Sequence, residues 1–206
     1  MARRVFFLPG TGASPDFWKP AGALLPAEWS KIYFGWPGLG HQPHDPAIGS
    51  FDDLVRMVVA RIERPVDLVA QSMGGVIASR IAIDHPGLVR RLVLTVTSGG
   101  VDMATMGASD WRADYRRLFP NAAEWVYAPR NAAPLPVERI AAPTLLLWGD
   151  KDPISPVAVG RHLAQHAVDH GEEVGLAGLG RDGQGIGRGA VGVAQRRERR
   201  AARKRR

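Results

Sequence analysis

The sequence contains no cysteine, and it has no long hydrophobic run. Without thiols, the chain cannot form a disulfide framework, a thiolate nucleophile or a Cys-ligated zinc or iron–sulfur site. One of the longest apolar runs covers only residues 144–148, whereas a bilayer-spanning helix needs about 20 residues. The basic start is followed by too short an apolar run, residues 5–8, for a signal peptide. We therefore expect a cytoplasmic protein that has no membrane partner.

The 206 residues, of which 45% are hydrophobic, suit one globular domain with a tail. Residues 171–206 carry ten Lys and Arg against four Asp and Glu, so most of the net charge of +7 belongs to the end of the chain. From residue 183 onward there are no aromatic residues, and such a segment buries too little apolar area to offset its ordering entropy. We predict a domain over residues 1–181 and a disordered Gly/Arg-rich tail over 182–206.

The basic tail raises the question of a nucleic-acid partner. The arginine run at residues 196–206 would give a salt-sensitive attraction to phosphates. It lacks the interleaved aromatic residues on which bases stack, and the remaining residues 1–170 have a net charge of only +1. Nucleic-acid binding is therefore not expected.

Residues 1–170 alternate between apolar strands and amphipathic helices. We predict strands at residues 4–8, 31–34, 66–70, 91–96 and 144–148, and helices at 14–25, 51–62, 76–83 and 157–168. Strands with continuous apolar runs indicate a parallel sheet that is covered on both faces. The predicted fold class is therefore α/β, with a doubly wound, mostly parallel sheet.

Residues 98–140 interrupt this alternation and contain five of the aromatic side chains. In doubly wound sheets, ligands bind at the carboxyl edge of the strands. We interpret the insertion as a lid over that edge, and the alternative is a helix pair that only packs its aromatic residues together.

A serine lies where a buried strand leads directly into a helix, in the segment Ala70-Gln71-Ser72-Met73-Gly74. A nucleophile at such a turn projects from a tight, strained backbone, and the small residues Ala70 and Gly74 relieve the crowding there. The amide dipoles of the following helix favour negative charge at the serine oxygen. The pattern therefore predicts a nucleophile at Ser72 rather than a plain helix N-cap.

Together with two further segments, this turn resembles the α/β-hydrolase superfamily, of the small esterase and lipase-like kind. The segment Leu8-Pro9-Gly10-Thr11-Gly12 follows the first strand, and the resemblance assigns the oxyanion-hole amides to Thr11 and Met73. It implies a serine hydrolase that acts on a carboxylic ester or thioester through an acyl-enzyme, with a small-molecule ester-like substrate and without a cofactor or metal.

The third segment, at residues 145–156, resembles the part of the family that carries the catalytic acid. Gly149, Asp152 and Pro156 match its glycine, acid and proline. The resemblance therefore makes Asp152 the acid of the triad, and its neighbour Asp150 is the alternative. The acid holds an imidazole in the correct tautomer and stabilises it when it is charged.

The triad also needs a histidine, and its usual position in the family is occupied by Arg181. The preceding residues 173–180 fit the short strand and the glycine-rich turn that normally lead to the base. Arginine keeps its proton and is a very poor general base. His170 is the last histidine of the chain and is our candidate for the base. The weaker alternatives are His162, His166, His41 and His44.

Three explanations for Arg181 stay open. In the first, the chain has lost its base and is an impaired enzyme or a binding protein. In the second, another histidine serves as the base. In the third, the C-terminal residues come from a GC-rich gene that is read in another frame. The resemblance also predicts a sheet that lacks the first two strands of the family and has a degenerate last strand. The sequence predicts neither the substrate's identity nor the oligomeric state.

Overall fold

The computed structural model describes residues 2–128 and 133–166, and it describes residues 176–179 as backbone alone. The candidate base His170, the atypical Arg181 and the predicted tail at 182–206 lie outside the described residues. In the described part of the chain, no helix has the length and apolar character needed to cross a membrane.

Within the described residues, six strands form one parallel sheet. In chain order they are β1 (Arg4–Leu8), β2 (Ser30–Tyr33), β3 (Val66–Gln71), β4 (Val89–Thr95), β5 (Thr144–Gly149) and β6 (Leu176–Leu179). Their order in the sheet is β2-β1-β3-β4-β5-β6, and every neighbouring pair is parallel. This arrangement confirms the predicted α/β fold, and the short last strand pairs with β5 over four residues.

The strand order changes direction between β1 and β3. The chain first moves outward from β1 to β2, and then crosses back to β3 and continues toward the other edge. Such a switch opens a crevice between the carboxyl ends of the two central strands. The segments that follow β1 and β3 therefore meet in space, and they are the segments that carry Thr11 and Ser72.

Five α-helices lie in the described ranges: α1 (Lys19–Ala23), α2 (Phe51–Val59), α3 (Met73–Asp84), α4 (Arg112–Leu118) and α5 (Val157–His166). Short 3₁₀ turns accompany them, including Pro15–Trp18 before α1. Helix α2 begins as its sequence predicts, because the Ser50 hydroxyl accepts a hydrogen bond of 3.2 Å from the Asp53 amide. Its apolar stripe buries Leu54 and Val58 completely against the sheet.

Helix α3 is the most deeply buried helix next to the site, and it begins three residues earlier than the predicted residue 76. Ten of its residues are buried, including both of the glycines that follow Met73. The early start has a functional consequence, because it brings the free amides of the helix N-terminus directly to Ser72.

One buried charge interrupts the apolar strand β3. The carboxylate of Asp67 accepts hydrogen bonds from both Nε and Nη2 of Arg90, at 2.7 and 2.5 Å, and Arg3 Nε lies 3.0 Å from its second oxygen. This pairing compensates the carboxylate for its loss of water. It lies at the start of β3, at the opposite end of the strand from Ser72, and therefore concerns the fold rather than the site.

Candidate active site

Ser72 occupies the sharp turn between β3 and α3. Its backbone has φ 51° and ψ −122°, a combination that L-residues rarely adopt and that costs about 1–3 kcal/mol. Two hydrogen bonds from the end of β4 hold it there. The Ser72 amide donates to the Thr95 carbonyl at 3.1 Å, and the Thr97 hydroxyl donates to the Ser72 carbonyl at 2.6 Å. The strain is therefore supported by the neighbouring strand.

Glycine is required on the helix side of this turn. A Cβ atom on Gly74 would lie 2.4 Å from the Leu8 carbonyl oxygen and 2.5 Å from that of Pro9. On Gly75, it would lie 2.5 Å from the Thr97 hydroxyl. The first turn of α3 therefore packs directly on the backbone at the end of β1 and on the residue after it.

The two predicted oxyanion-hole residues flank this turn. Thr11 and Met73 line the same cleft as Ser72. In the described ranges, neither amide donates a hydrogen bond to another protein group. Gly10 shows how close the two segments are, because a Cβ atom on it would lie 3.1 Å from the Ser72 Cβ. In the described part of the chain, the cleft that Ser72 lines is therefore also lined by two residues whose amides have no protein acceptor.

Two tryptophan side chains hold the backbone that leads to Thr11. Trp36, which is buried, donates from Nε1 to the Pro9 carbonyl at 2.9 Å. Trp18 donates from Nε1 to the Leu8 carbonyl at 3.2 Å. These bonds satisfy carbonyl groups where the β1 ladder ends, and they fix the direction in which the chain leaves the strand.

A cleft of about 1550 Å³ opens above Ser72 between the described residues. The described part of the 98–140 insertion contributes Trp111, Tyr115 and Leu118 to its lining. Three exposed apolar side chains lie along the cleft, namely Phe17, Leu118 and Ile154. The cleft thus combines polar amides at its base with apolar surface around them, as small-molecule sites commonly do.

The predicted acid Asp152 lies in the loop after β5. Its Oδ1 atom accepts hydrogen bonds from the Ile154 amide at 2.9 Å and the Ser155 amide at 2.8 Å. The side chain is half-buried, whereas the alternative Asp150 is exposed. Pro153, Ile154 and Ser155 line the cleft, but Asp152 itself does not. The structure therefore places Asp152 beside the cleft and fixes one of its carboxylate oxygens.

None of the histidines in the described ranges lines the cleft. The His41 ring packs edge-on against Phe119, and His44 Nε2 lies 2.8 Å from the Asn121 carbonyl oxygen. His162 and His166 stack on each other on α5, with their ring centroids 4.2 Å apart. The structure therefore brings none of these four alternatives to Ser72. The same ranges contain no cluster of three or more His, Asp or Glu side chains that would ligate a metal ion.

The sequence analysis missed the hydroxyl of Tyr115. This side chain is buried, and burial raises the pKa of its phenol, so that it stays protonated. Its oxygen bonds to two separate loops beside Ser72, at Thr11 and Gly40. The aromatic content of the insertion indicated a lid, but a hydroxyl that reaches across 104 residues leaves no local pattern to recognise.

The chain is similar in sequence to known hydrolases. A model of the alpha/beta hydrolase family matches residues 5–180. A pimeloyl-[acyl-carrier protein] methyl ester esterase of Neisseria meningitidis is 25% identical over 208 residues, covering 80% of this chain and 81% of that protein. A putative carbamate hydrolase RutD of Variovorax paradoxus is 33% identical over 96 residues, covering 44% of this chain and 36% of that protein.

Solved structures show the same fold at lower identity. The enol-lactonase from Burkholderia xenovorans superposes with a TM-score of 0.66 and 20% identity, covering 87% of this chain and 83% of that one. A hydrolase from Pseudomonas aeruginosa superposes with a TM-score of 0.65 and 16% identity, covering 86% and 82%.

Proposed function

The chain belongs to the alpha/beta hydrolase family, and from this premise we propose that it is a serine esterase whose nucleophile is Ser72. The observation that carries the proposal is the strained backbone of Ser72 at the N-terminus of α3. Strain of this kind persists only where the surroundings enforce it, and it clusters at functional sites. Here it projects a hydroxyl toward a cleft in which two amides are free.

In the proposed reaction, Ser72 Oγ attacks the carbonyl carbon of an ester. A base takes the hydroxyl proton, and the amides of Thr11 and Met73 stabilise the oxyanion that forms. Collapse of this intermediate expels the alcohol, which takes up the proton from the base. Water then attacks the acyl-enzyme while the base takes a proton from the water. Collapse of the second intermediate releases the carboxylic acid, and the base returns the proton to Ser72 Oγ. We assign the role of the base to His170, and we assign to Asp152 the role of orienting the His170 imidazole.

The names of the relatives suggest the class of bond that is attacked. They are a methyl ester esterase, a carbamate hydrolase and an enol-lactonase, and each of these names implies a carbonyl bonded to a heteroatom that leaves. We propose a carboxylic ester or thioester as the substrate, with residues 98–140 as a lid that shapes the acyl pocket. A cytoplasmic location remains a prediction from the sequence.

The proposal is tested by exposing the intact protein to a fluorophosphonate probe and measuring its mass. We expect one adduct on the wild type and none on Ser72→Ala, because only an activated serine reacts rapidly. Ser109→Ala, at another serine that lines the cleft, is the matched control and should react like the wild type. A folded wild-type protein that gains no adduct would contradict the esterase proposal.

The base is tested separately with His170→Gln. If His170 removes the proton from Ser72, this variant should lose labelling by several orders of magnitude, because triad members act as a unit. His166→Gln, four residues earlier in the sequence, is the control. Equal labelling of His170→Gln and the wild type would exclude His170 as the base.

A second candidate function is a binding protein that has kept the fold but not the chemistry. Two observations favour it: none of the described histidines lines the cleft, and Arg181 follows the glycine-rich turn. Such a protein would give no adduct, but an ester-like ligand would still raise its melting temperature by mass action. Labelling and thermal shift measured on the same sample therefore distinguish the two functions.

A further inference from the structure

The peptide group that carries the Thr11 amide joins Gly10 to Thr11. This group lies between two others, the Pro9–Gly10 peptide and the Thr11–Gly12 peptide. The first is held through the bond from Trp36 to the Pro9 carbonyl. An oxyanion donor must also be fixed on its other side, because the benefit of a preorganised dipole depends on its direction before the reaction begins.

Tyr115 supplies this second attachment from α4. Its hydroxyl donates to the Thr11 carbonyl at 3.2 Å and accepts from the Gly40 amide at 2.8 Å. The two bonds use the phenol as both donor and acceptor, so its orientation is defined. They also link three segments that are far apart in sequence: the loop after β1, the loop after β2 and the insertion.

Packing beneath the hydroxyl keeps it in place. A Cβ atom on Gly12 would lie 2.8 Å from the Phe119 ring and 3.3 Å from the Tyr115 ring, so α4 lies directly on this loop. The two rings also contact each other, with centroids 4.8 Å apart. Removing the hydroxyl alone would therefore leave the ring seated and remove only its two hydrogen bonds, to the Thr11 carbonyl and from the Gly40 amide.

We propose that Tyr115 is a positioning residue for the oxyanion hole: its hydroxyl aligns the Thr11 amide by holding the carbonyl of the next peptide group. This rests on the proposed esterase function, although the holding of the loop is a property of the fold. The insertion therefore does more than cover the cleft, because it completes the support of the catalytic backbone.

The test compares Tyr115→Phe with Tyr127→Phe. The Tyr127 hydroxyl is also buried in the insertion, but it has no hydrogen-bond partner in the described part of the chain, so its removal is a matched control. For Tyr115→Phe we expect kcat to fall about tenfold while KM changes less than about twofold, because the lost alignment acts on the transition state. Tyr127→Phe should retain the wild-type kcat.

A second readout separates this proposal from the esterase function. ¹⁵N relaxation gives order parameters for the amides of Thr11 and Gly12, and these should fall in Tyr115→Phe but not in Tyr127→Phe. Unchanged order parameters, or equal kcat values for the two variants, would overturn the proposal. If the wild type hydrolyses no ester, the esterase function fails, and the order parameters still decide whether Tyr115 holds the loop.

Discussion

The two halves of the candidate site are built in different ways. The nucleophile half, residues 8–13 and 70–76, is held by contacts between β1, β3, β4 and α3, and a Cβ atom at Gly74 would overlap the backbone of β1. The acid half, residues 149–156, is held by bonds within its own loop, by the Trp148 Nε1 bond to the Ser155 carbonyl at 2.9 Å, and by one longer-range bond from the Ser109 amide to the Pro153 carbonyl at 2.7 Å. No atom of the described residues lies within 4 Å of a Cβ built on its first residue Gly149, and the candidate acid Asp152 is fixed by amides two and three residues ahead.

The two halves differ in whether the fold has to hold a strained backbone. Long-range contacts enforce a strained backbone at Ser72, and strain of about 1–3 kcal/mol needs many partners to persist. The acid half needs no strain, since a carboxylate only has to orient and stabilise an imidazole. Substitutions that disturb the backbone packing of the first half should therefore lower stability, whereas removal of the Asp152 charge in the second half should lower activity.

The largest effect is expected for Asp152→Asn. The amide oxygen of asparagine can still accept from Ile154 and Ser155, so the loop should keep its conformation, but the negative charge that stabilises an imidazolium is lost. We expect kcat to fall by roughly 10³–10⁴, about 4–5 kcal/mol of transition-state stabilisation, with the melting temperature nearly unchanged. Steady-state kinetics and a thermal melt on the same preparation measure both.

Asp150→Asn is the matched control for this prediction, because Asp150 is exposed and two residues away. It should retain wild-type kcat. A large loss in Asp150→Asn with none in Asp152→Asn would transfer the role of the acid to Asp150.

The next largest effect is a difference in stability between two alanine substitutions, one at a glycine of each half. Gly74→Ala should destabilise the fold by about 3 kcal/mol, because its Cβ would meet the carbonyl oxygens of Leu8 and Pro9, which are backbone atoms. Gly149→Ala should change stability by less than about 0.5 kcal/mol, since no atom of the described residues lies within 4 Å of its Cβ. Urea denaturation of both variants measures the difference, and equal midpoints would remove the contrast between the halves.

A smaller change of opposite sign is expected for Ser72→Gly. Glycine adopts positive φ without strain, although it adds entropy to the unfolded chain. We therefore expect Ser72→Gly to be about 1 kcal/mol more stable than Ser72→Ala, which keeps the Cβ at φ 51°. Both variants lack the nucleophile, so the comparison isolates backbone strain. A Ser72→Gly protein no more stable than Ser72→Ala would show that the turn is unstrained.

The smallest effect concerns α5, the helix that follows the acid half. Burial, and to a lesser extent the neighbouring His166, lowers the pKa of His162 below its ordinary value of about 6.5. As the pH falls, His162 therefore takes up a proton in the unfolded chain before it does so in the folded protein. The free energy of unfolding consequently decreases as the pH falls from the ordinary histidine pKa toward the lower pKa of the folded protein. Thermal melts from pH 8 to pH 5 should show a smaller decline for His162→Gln than for the wild type. Identical declines would contradict this assignment.

Much of the nucleophile half was predictable because its signals are local. A strand, a serine between small residues and a helix lie within residues 66–83, and the structure places them as the pattern indicated. The sequence also identified the loop at residues 8–12 and located Asp152. Helix α3 begins three residues before the apolar segment 76–83, because Gly74 and Gly75 contribute no apolar side chain to the helical pattern and glycine has a low helix propensity.

Other features depend on contacts that no local pattern records. In the sequence, Asp67 is a single polar residue in an apolar strand. Only the structure shows that Arg90 and Arg3 pair with it. In the same way, the Tyr115 hydroxyl gains its role only when the insertion folds back onto the loop after β1.

The sequence by itself determined the α/β class, the order of its strands along the chain and the strand-to-helix turn that carries Ser72, because hydrophobic periodicity and turn chemistry act over a few residues. The tertiary structure alone decided the order of strands in the sheet, the bond between Tyr115 and the Thr11 carbonyl and the place of Asp152 beside the cleft. These depend on side chains and backbone groups that are distant in sequence, whose meeting is set by packing rather than by local preference.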